Sequence, residues 1–275
     1  MDIKELNQLL KLPNNKFEGH LILKGHDIIW TLHFVQGRLI YAADGLHGVR
    51  RWNYTINQNF PKFKLNIAAA QLSTHQYWQL YLLDQGFKEQ QLSLVRAKLL
   101  LRAVIQECLF ELSQCTYVTS EWQPAELPVS RLCCTIALSP WEIDIILNKV
   151  NDMQQAWQHL GMTGTSPQLS PTLKNPVNHQ HLPISHQYLT GTYTLWQIAT
   201  NLAQPIEEVA KPLIPLIQDQ SLELKKLPDL PLANVQLSPM SLSRVPDNAT
   251  AVSMPQQSSV IRSSPISAKP YELVP

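Results

Sequence analysis

Apolar and polar residues alternate near the amino terminus in a pattern typical of β-strands joined by tight turns. Three runs carry the pattern, and they predict strands at residues 19–24, 28–35 and 38–43. The last two runs meet at Gln36-Gly37, where glycine supplies the positive φ that a two-residue hairpin turn requires. The sequence therefore predicts an antiparallel β-meander at the start of the chain.

Apolar residues that recur every three or four positions predict a helical body after the meander. Helices are expected at residues 48–60, 74–85, 89–116 and 139–159, and two further strands at residues 116–121 and 131–138. The core stripe of the 89–116 helix is predicted to run through Leu94, Ala97, Leu101, Val104, Cys108 and Leu112. Gly86 and Gly161 are interpreted as helix stops. Ser139-Pro140-Trp141-Glu142 is a good helix start, because serine caps and proline fits the first turn.

The carboxyl-terminal third changes in composition. Residues 163–183 are rich in proline, threonine and asparagine, which predicts a connection after a first domain at 1–162. A small helical subdomain with a winged-helix-like outline is expected at 184–231. The remaining residues, 232–275, are predicted to be a disordered tail, because residues 228–275 hold eight prolines, nine serines and no glycine. The fold class predicted for the whole chain is α+β.

The overall charge gives no general reason to expect nucleic acid or an anionic membrane as a partner. The 275 residues include 22 lysines and arginines against 21 acids, a formal charge of +1, and 44% are apolar. No apolar run is long enough for a signal peptide or for a membrane span. The four cysteines lack a C-x-x-C spacing, so we expect reduced thiols and a cytoplasmic protein.

Motifs of catalysis and cofactor binding are not found in the sequence. There is no G-x-S-x-G, no phosphate-binding lysine loop, no G-x-G-x-x-G and no H-E-x-x-H. His179, His181 and His186 form the one histidine cluster, but no cysteine or acid lies close enough in sequence to complete a zinc site. We therefore predict no catalytic residue, no cofactor and no metal ion.

The strongest polar cluster consists of His47, Arg50 and Arg51, which share one face if this segment is helical. Residues 38–64 hold five lysines or arginines and one acid, Asp44. Such a face is suited to bind an acidic partner or a phosphate through the forked arginine donors. The alternative is an ordinary solvated helix face with local salt bridges. The residues proposed to contact a partner are His33, Arg38, His47, Arg50 and Arg51.

A second functional alternative lies in residues 192–226, where helix, turn, helix and short strand follow the order of a winged helix. The second helix offers Glu207, Glu208 and a single Lys211, and prolines interrupt it. Acidic side chains on a recognition helix would repel DNA phosphates. We therefore favour a structural or protein-binding role for this segment, with transcription regulation through DNA binding as the alternative.

A set of short motifs follows in order along residues 17–231. They are Phe17, Gly19 and Leu21; Trp30, Leu32, Phe34 and Gly37-Arg38-Leu39; Gly45, His47 and Arg50-Arg51-Trp52; Tyr77-Trp78 and Tyr81-Leu82-Leu83; Glu107, Leu109-Phe110 and Leu112; Trp157 and Gly161; Ser166-Pro167 and Leu169-Ser170-Pro171; Leu195 and Ile198-Ala199; and Leu227-Pro228-Asp229-Leu230-Pro231. Together these motifs resemble the PATAN region of cyanobacterial PatA-type response regulators. Asn53 departs from the pattern, where the family tends to carry another basic residue.

The resemblance implies output from two-component signalling, in phototaxis, pilus-driven motility or cell patterning, through contacts with other proteins. Relatives carry a phosphoacceptor receiver after this region, and the 275 residues contain no such segment. We therefore expect a non-catalytic protein–protein interaction module without its own receiver. Its expected partners are signalling or pilus-motor proteins, or a receiver on a separate chain.

Overall fold

The fold is α+β, as predicted, in a computed structural model that describes residues 3–11, 18–26, 28–63, 69–126, 130–174, 182 and 184–236. The strands are β1 (Gly19–Lys24), β2 (Ile29–Val35), β3 (Arg38–Asp44), β4 (Thr119–Pro124), β5 (Leu169–Leu173) and β6 (Leu222–Lys226). The helices are α1 (Ile3–Lys11), α2 (Gly48–Asn59), α3 (Ala69–Ser73), α4 (Trp78–Lys88), α5 (Leu94–Ser113), α6 (Arg131–Thr135), α7 (Pro140–His159), α8 (Leu195–Leu202), α9 (Ile206–Ala210) and α10 (Ile214–Gln218).

The amino-terminal strands form the predicted antiparallel meander, extended by one strand. The order of the sheet is β3-β2-β1-β4, so β4 returns from the end of α5 to pair with β1. The turn between β2 and β3 has φ of +51° at Gln36 and +71° at Gly37. Two positive φ values in succession match the right-handed twist of a two-residue hairpin, which confirms the predicted turn.

One face of this sheet and the helix α5 build the centre of the core. Trp30, Leu32 and Phe34 alternate along β2 and are almost fully buried. The Cys108 thiol of α5 approaches the Ala42 carbonyl oxygen of β3 at 3.7 Å, which places α5 directly against the sheet. On the other side α5 packs along α7. A helix enclosed in this way positions its polar residues inside the protein.

The helix start predicted at Ser139 is confirmed. The Ser139 hydroxyl accepts the Glu142 backbone N–H at 3.4 Å, and the Glu142 carboxylate accepts the Ser139 N–H at 2.9 Å, forming a capping box. The helix continues to His159, as expected, and the chain reverses at Gly161, where φ is +72°. Glycine adopts this left-handed conformation without steric cost.

Two sequence predictions about elements were wrong. Residues 131–138, predicted as a strand, form α6 and an isolated bridge from Leu138 to Leu39. Consecutive buried residues at 136–138 carry no period that separates helix from strand. Gly86 does not stop a helix but lies inside α4, where a Cβ atom would come within 2.6 Å of Leu92. That glycine permits close packing instead.

The segment predicted as a connection contains a strand. Within 163–183, β5 pairs antiparallel with β6, and the register runs from Leu169 opposite Lys226 to Leu173 opposite Leu222. Pro171 in β5 masked this strand in the sequence, because proline is depleted in strands. Residues 1–240 form one compact unit. The tail predicted to be disordered at 232–275 begins with a 3-10 helix at Leu232–Gln236, whose Val235 is buried, so the prediction was wrong there. The rest of the predicted tail, which includes the second unit at 241–275, lies outside the described residues. The predicted domain boundaries stay predictions.

Candidate functional site

Four of the five residues predicted to contact a partner are buried. The exposed fractions are 6% for His33, 4% for His47, 8% for Arg50 and 1% for Arg51, whereas Arg38 at the start of β3 is exposed. The expectation of one solvent-facing basic surface was therefore wrong at these positions. Helical spacing correctly placed the cluster on α2, but it did not reveal that this face of the helix points inward.

Arg51 is the centre of a buried ion-pair network, which we call the Arg51 network. Its guanidinium donates to Asp44, to Glu107 Oε2 at 3.2 Å from Nε, and to Glu111 Oε1 at 3.0 Å from Nη2. The Gln168 amide donates to the same Glu111 oxygen at 2.7 Å. One cation thus holds three carboxylates from β3 and α5, and Gln168 ties the segment before β5 to them.

The local structure explains why these groups meet. Glu107 and Glu111 are four residues apart on α5 and so share one helix face. Asp44 is the last residue of β3, and its other oxygen accepts the backbone N–H groups of Leu46 and His47 at 2.9 and 2.8 Å. Asp44 therefore terminates the strand and fixes the turn into α2. The network joins β3 and α2, which are adjacent in sequence, to α5, whose network residues lie more than 50 positions further along.

Burial and charge act in opposite directions on this network. Burial raises the pKa of Glu107 to about 7 and that of Glu111 to about 8, against the opposing attraction of Arg51. Burial acts the same way on Asp44, but the Arg51 cation and the two backbone donors outweigh it and lower the pKa of this carboxyl. One guanidinium cannot neutralise three carboxylates, and the raised pKa values mean that the two glutamates relieve the excess negative charge by binding protons.

His47 and Arg50 hold a segment of their own chain, residues 227–236, which we call the strap. The Asp229 carboxylate accepts the backbone N–H groups of Val49 and Arg50 at 3.0 and 2.8 Å, at the amino-terminal end of α2. The His47 Nε2 atom contacts the Leu227 carbonyl oxygen at 2.7 Å. An acidic side chain at this end of a helix satisfies orphan donors and complements the helix dipole.

The strap has further contacts along α2. The Arg50 Nη2 atom donates to the Pro228 carbonyl oxygen at 2.9 Å, and the Asn53 amide donates to the Asn234 carbonyl oxygen at 3.1 Å. The groups that the basic cluster binds therefore belong to the same chain. Asp229 binds at the start of α2, and the acids of the Arg51 network bind behind it.

Replacing Asp229 with asparagine is expected to loosen the strap. The amide keeps the size of the side chain but loses the charge that two backbone N–H groups bind, so we expect the free energy of unfolding to fall by about 1 kcal/mol. Limited proteolysis should then cut within residues 227–236 faster than in the parent protein. Glu223→Gln, which removes only an exposed ion pair to Lys225, is the control. Equal cleavage rates in the two variants would contradict this role of Asp229.

His33 belongs to a separate buried cluster on the other face of the sheet. Its Nδ1 atom lies 2.9 Å from Nδ1 of His20, and Nε2 of His20 lies 2.6 Å from the Tyr77 hydroxyl. Burial and the neighbouring His20 lower the pKa of His33 to about 3. Because one ring nitrogen must donate and the other accept, the pair is built for neutral imidazoles. His33 also packs edge-on against the Tyr77 ring, which lies just before α4.

The largest apolar side chains left in solvent lie mainly on the amino-terminal halves of α5 and α7. Val95 is 73% exposed, Leu99 49%, Trp141 70% and Ile145 45%, and we call these four side chains the α5–α7 surface. Leu94, expected in the core stripe, is also 42% exposed. Exposed apolar residues that cluster in this way mark interaction sites more often than scattered ones do.

Ion pairs join the two helices that carry this surface. The Glu142 carboxylate of α7 binds Lys98 Nζ at 2.9 Å and Arg102 Nη2 at 2.5 Å, both from α5. On α5, Val95 and Leu99 are three or four residues from those cations, and on α7, Trp141 and Ile145 are one and three residues from Glu142. Burial raises the pKa of Glu142, but Lys98, Arg102 and Ser139 lower it to about 2. The carboxylate therefore stays charged between the two helices.

The α5–α7 surface was not predicted from the sequence, although the positions of its apolar residues gave a signal. Val95 and Leu99 fall outside the core stripe of α5, and Trp141 and Ile145 fall outside the buried stripe of α7. Apolar residues on the side of a helix opposite its core stripe were a detectable sign. The sign is weak in sequence, because nothing there shows that the two helices lie side by side.

Neither a metal site nor a membrane span is found in the part of the chain that the structure describes. There, no three His, Cys, Asp or Glu side chains come together in a way that suits a metal ion. Each helix in that part is too short or too polar to cross a bilayer. His179 and His181 of the histidine cluster lie outside the described residues.

Comparison with known proteins gives no relative. No protein-family model, no curated protein and no solved structure matches the chain.

Proposed function

We propose that the chain is a non-catalytic protein–protein interaction module of cyanobacterial two-component-type signalling, and that it acts in the cytoplasm. The observation that carries the interaction role is the α5–α7 surface, where four large apolar side chains remain in solvent on two packed helices. The resemblance of the sequence to PATAN regions supports the signalling context. Expected partners are response regulators or pilus-motor proteins.

We do not propose the basic cluster as a binding surface. His47 and Arg50 are occupied by the strap, and Arg51 is enclosed by carboxylates. A partner could reach these groups only after the strap leaves. We assign them to the internal organisation of the fold, where they join α2 to the end of β6 and to α5.

DNA binding through residues 192–226 gains no support from the structure. The second helix of the outline is broken into α9, a short 3-10 turn at Lys211–Leu213 and α10. Glu208 is exposed on it, and an acid there opposes the approach of phosphates. We therefore do not propose this alternative.

Affinity capture from a cyanobacterial lysate tests the interaction role. The full chain is compared with a variant carrying Trp141→Ala and Ile145→Ala, and bound proteins are identified by mass spectrometry. We expect signalling or pilus-motor proteins to be captured, with recovery at least about tenfold lower in the variant, because an apolar anchor contributes 1–2 kcal/mol or more to binding.

Tyr117→Ala serves as the matched control, since Tyr117 is 73% exposed and lies outside the α5–α7 surface. Its captured proteins should equal those of the parent chain. Undiminished capture by the Trp141/Ile145 variant would refute the role of this surface. Circular dichroism verifies that each variant is folded, as expected for changes at exposed positions.

A further inference from the structure

We propose that a cleft between the end of α2 and the start of α5 binds a small organic anion, in which an aromatic ring system carries a sulfonate, phosphate or carboxylate group. The cleft has a volume of about 550 Å³ and is lined by Phe60, Pro61, Lys62, Phe63, Gln91 and Arg96. We call it the Phe60–Arg96 cleft. Its volume lies within the range of about 300–1,000 Å³ that is usual for small-molecule sites. The proposal goes beyond the proposed function and does not depend on it.

Two aromatic rings form the apolar wall of the cleft. The helix α2 ends before Pro61, and the residues that follow make a tight turn in which the Phe63 backbone N–H donates to the Phe60 carbonyl oxygen at 2.8 Å. The centroids of the two phenyl rings are 6.5 Å apart, and the rings are tilted by 53°. Phe63 also packs beside Gly86 of α4, where a Cβ atom would come within 2.9 Å of its ring. The turn and this packing hold both rings in place for contact with another flat ring.

Two cations line the same cleft. Lys62 and Arg96 are exposed, and neither has an ion pair among the described residues. The lining residues given above include no Asp or Glu. A guanidinium binds an anionic group through its forked donors, and it also stacks on aromatic faces. The cleft therefore combines the two features that an aromatic anion needs, an apolar wall for its ring and uncompensated positive charge for its acidic group.

The sequence on both sides of the cleft excludes acids over long stretches. Residues 45–83 and 90–106, which supply its two walls, contain no Asp or Glu. The two acids between these stretches are already engaged, because Asp84 pairs with Lys88 at 2.8 Å and Glu89 accepts a glutamine amide at 2.9 Å. The dipoles of α2 and α5 meet the cleft with opposite ends, so their half charges oppose each other. The side-chain cations therefore decide which sign of charge the cleft attracts.

Two probes that differ only in charge test the proposal. Anilinonaphthalene sulfonate is an aromatic anion whose fluorescence rises in apolar sites, and phenylnaphthylamine is the same ring system without the sulfonate. Each is titrated into the full chain at low salt. We expect the sulfonate to bind saturably at one site, with an affinity that falls as salt rises. Inorganic phosphate, which has the charge without the rings, should not displace it at equal concentration.

Variants of the chain show where the sulfonate binds. Lys62→Gln combined with Arg96→Gln should weaken the sulfonate about fivefold and leave the affinity for the neutral probe unchanged, because only the anion gains from the two cations. Arg38→Gln combined with Lys149→Gln is the matched control, since it removes two exposed cations elsewhere, and it should change neither affinity. Circular dichroism verifies that both variants are folded, as expected for changes at exposed positions.

Several results would overturn the proposal. These are the absence of saturable sulfonate binding, displacement by inorganic phosphate, an equal loss of sulfonate affinity in the control variant, and a loss for the neutral probe as large as that for the sulfonate. The α5–α7 surface also offers apolar side chains to such a probe. Sulfonate binding that Trp141→Ala abolishes and the Lys62/Arg96 variant leaves intact would place the probe there, against the proposal. None of these results bears on lysate capture, which tests the proposed function separately.

Discussion

Replacing Arg51 with methionine is expected to lower the free energy of unfolding by about 3–5 kcal/mol, which is a large fraction of the stability of a single domain. Arg51 is 1% exposed, and its guanidinium contacts Asp44, Glu107 and Glu111. Methionine fills much of the same volume, so the cost comes from the three carboxylates left without a positive partner. Urea denaturation followed by circular dichroism measures it.

The design of this experiment separates charge from packing. Arg38→Met, at an exposed position of β3, controls for the substitution itself and should change stability by less than about 0.5 kcal/mol. Adding Glu107→Gln and Glu111→Gln to Arg51→Met removes two of the buried acids that lose their cation and should recover part of the loss. A change below about 1 kcal/mol in Arg51→Met alone would contradict the assignment of Arg51 as the central ion of the network.

Local patterns predicted the elements that depend on neighbours in sequence. The hairpin at Gln36-Gly37 and the capping box at Ser139 each rest on residues within four positions of one another, so their geometry follows from the local chain. The strand at 131–138 and the stop at Gly86 were wrong, because tertiary packing decides both. Leu92 and Phe63 fill the space beside Gly86, and no pattern around residue 86 reveals them.

The candidate site depends on contacts that sequence alone does not reveal. Arg51 pairs with acids 56 and 60 positions away, and Asp229 binds the start of α2 from a distance of about 180 residues. The basic cluster predicted from the sequence includes Arg51, which binds acids, whereas the Arg50 guanidinium donates to the Pro228 carbonyl oxygen. The sequence could not show that those acids belong to the same chain. The face expected to bind a partner is therefore an internal contact of the fold.

Stability is expected to fall as pH rises from about 7 to 9, opposite to the trend of a protein whose buried acids are fully paired. Burial raises the pKa of Glu107 to about 7 and that of Glu111 to about 8 in the folded state, whereas both groups titrate near 4.5 when unfolded. Between these values the folded chain binds more protons than the unfolded chain. Raising pH through this range therefore favours unfolding.

The pKa shifts of Glu107 and Glu111 set the size of this loss of stability, and the coupling between the two groups limits it. One pKa unit corresponds to about 1.4 kcal/mol, but Glu107 and Glu111 compete for the same guanidinium, so we expect roughly 3 kcal/mol in total and not the sum of two independent groups. The lowered pKa of Asp44 changes the stability only below pH 3.8, the value for the unfolded chain. The lowered pKa values of the buried histidines reduce stability only below about pH 6.5. The decline above pH 7 therefore belongs to the glutamates.

Glu111→Gln isolates this contribution. Glutamine keeps a hydrogen-bonding side chain beside Arg51 and Gln168 but cannot ionise. The decline of the free energy of unfolding between pH 7 and 9 should therefore become shallower. At pH 9 the variant should be more stable than the parent. Urea midpoints measured at pH 5, 7 and 9 give the comparison, with Glu223→Gln in exposed β6 as the control whose profile follows the parent. A parent stability that rises from pH 7 to 9, or a Glu111→Gln profile parallel to the parent, would show that both glutamates are ionised without cost. In that case Arg51, together with the hydrogen bonds that Tyr54 and Gln168 donate to Glu107 and Glu111, would offset the negative charge of all three carboxylates.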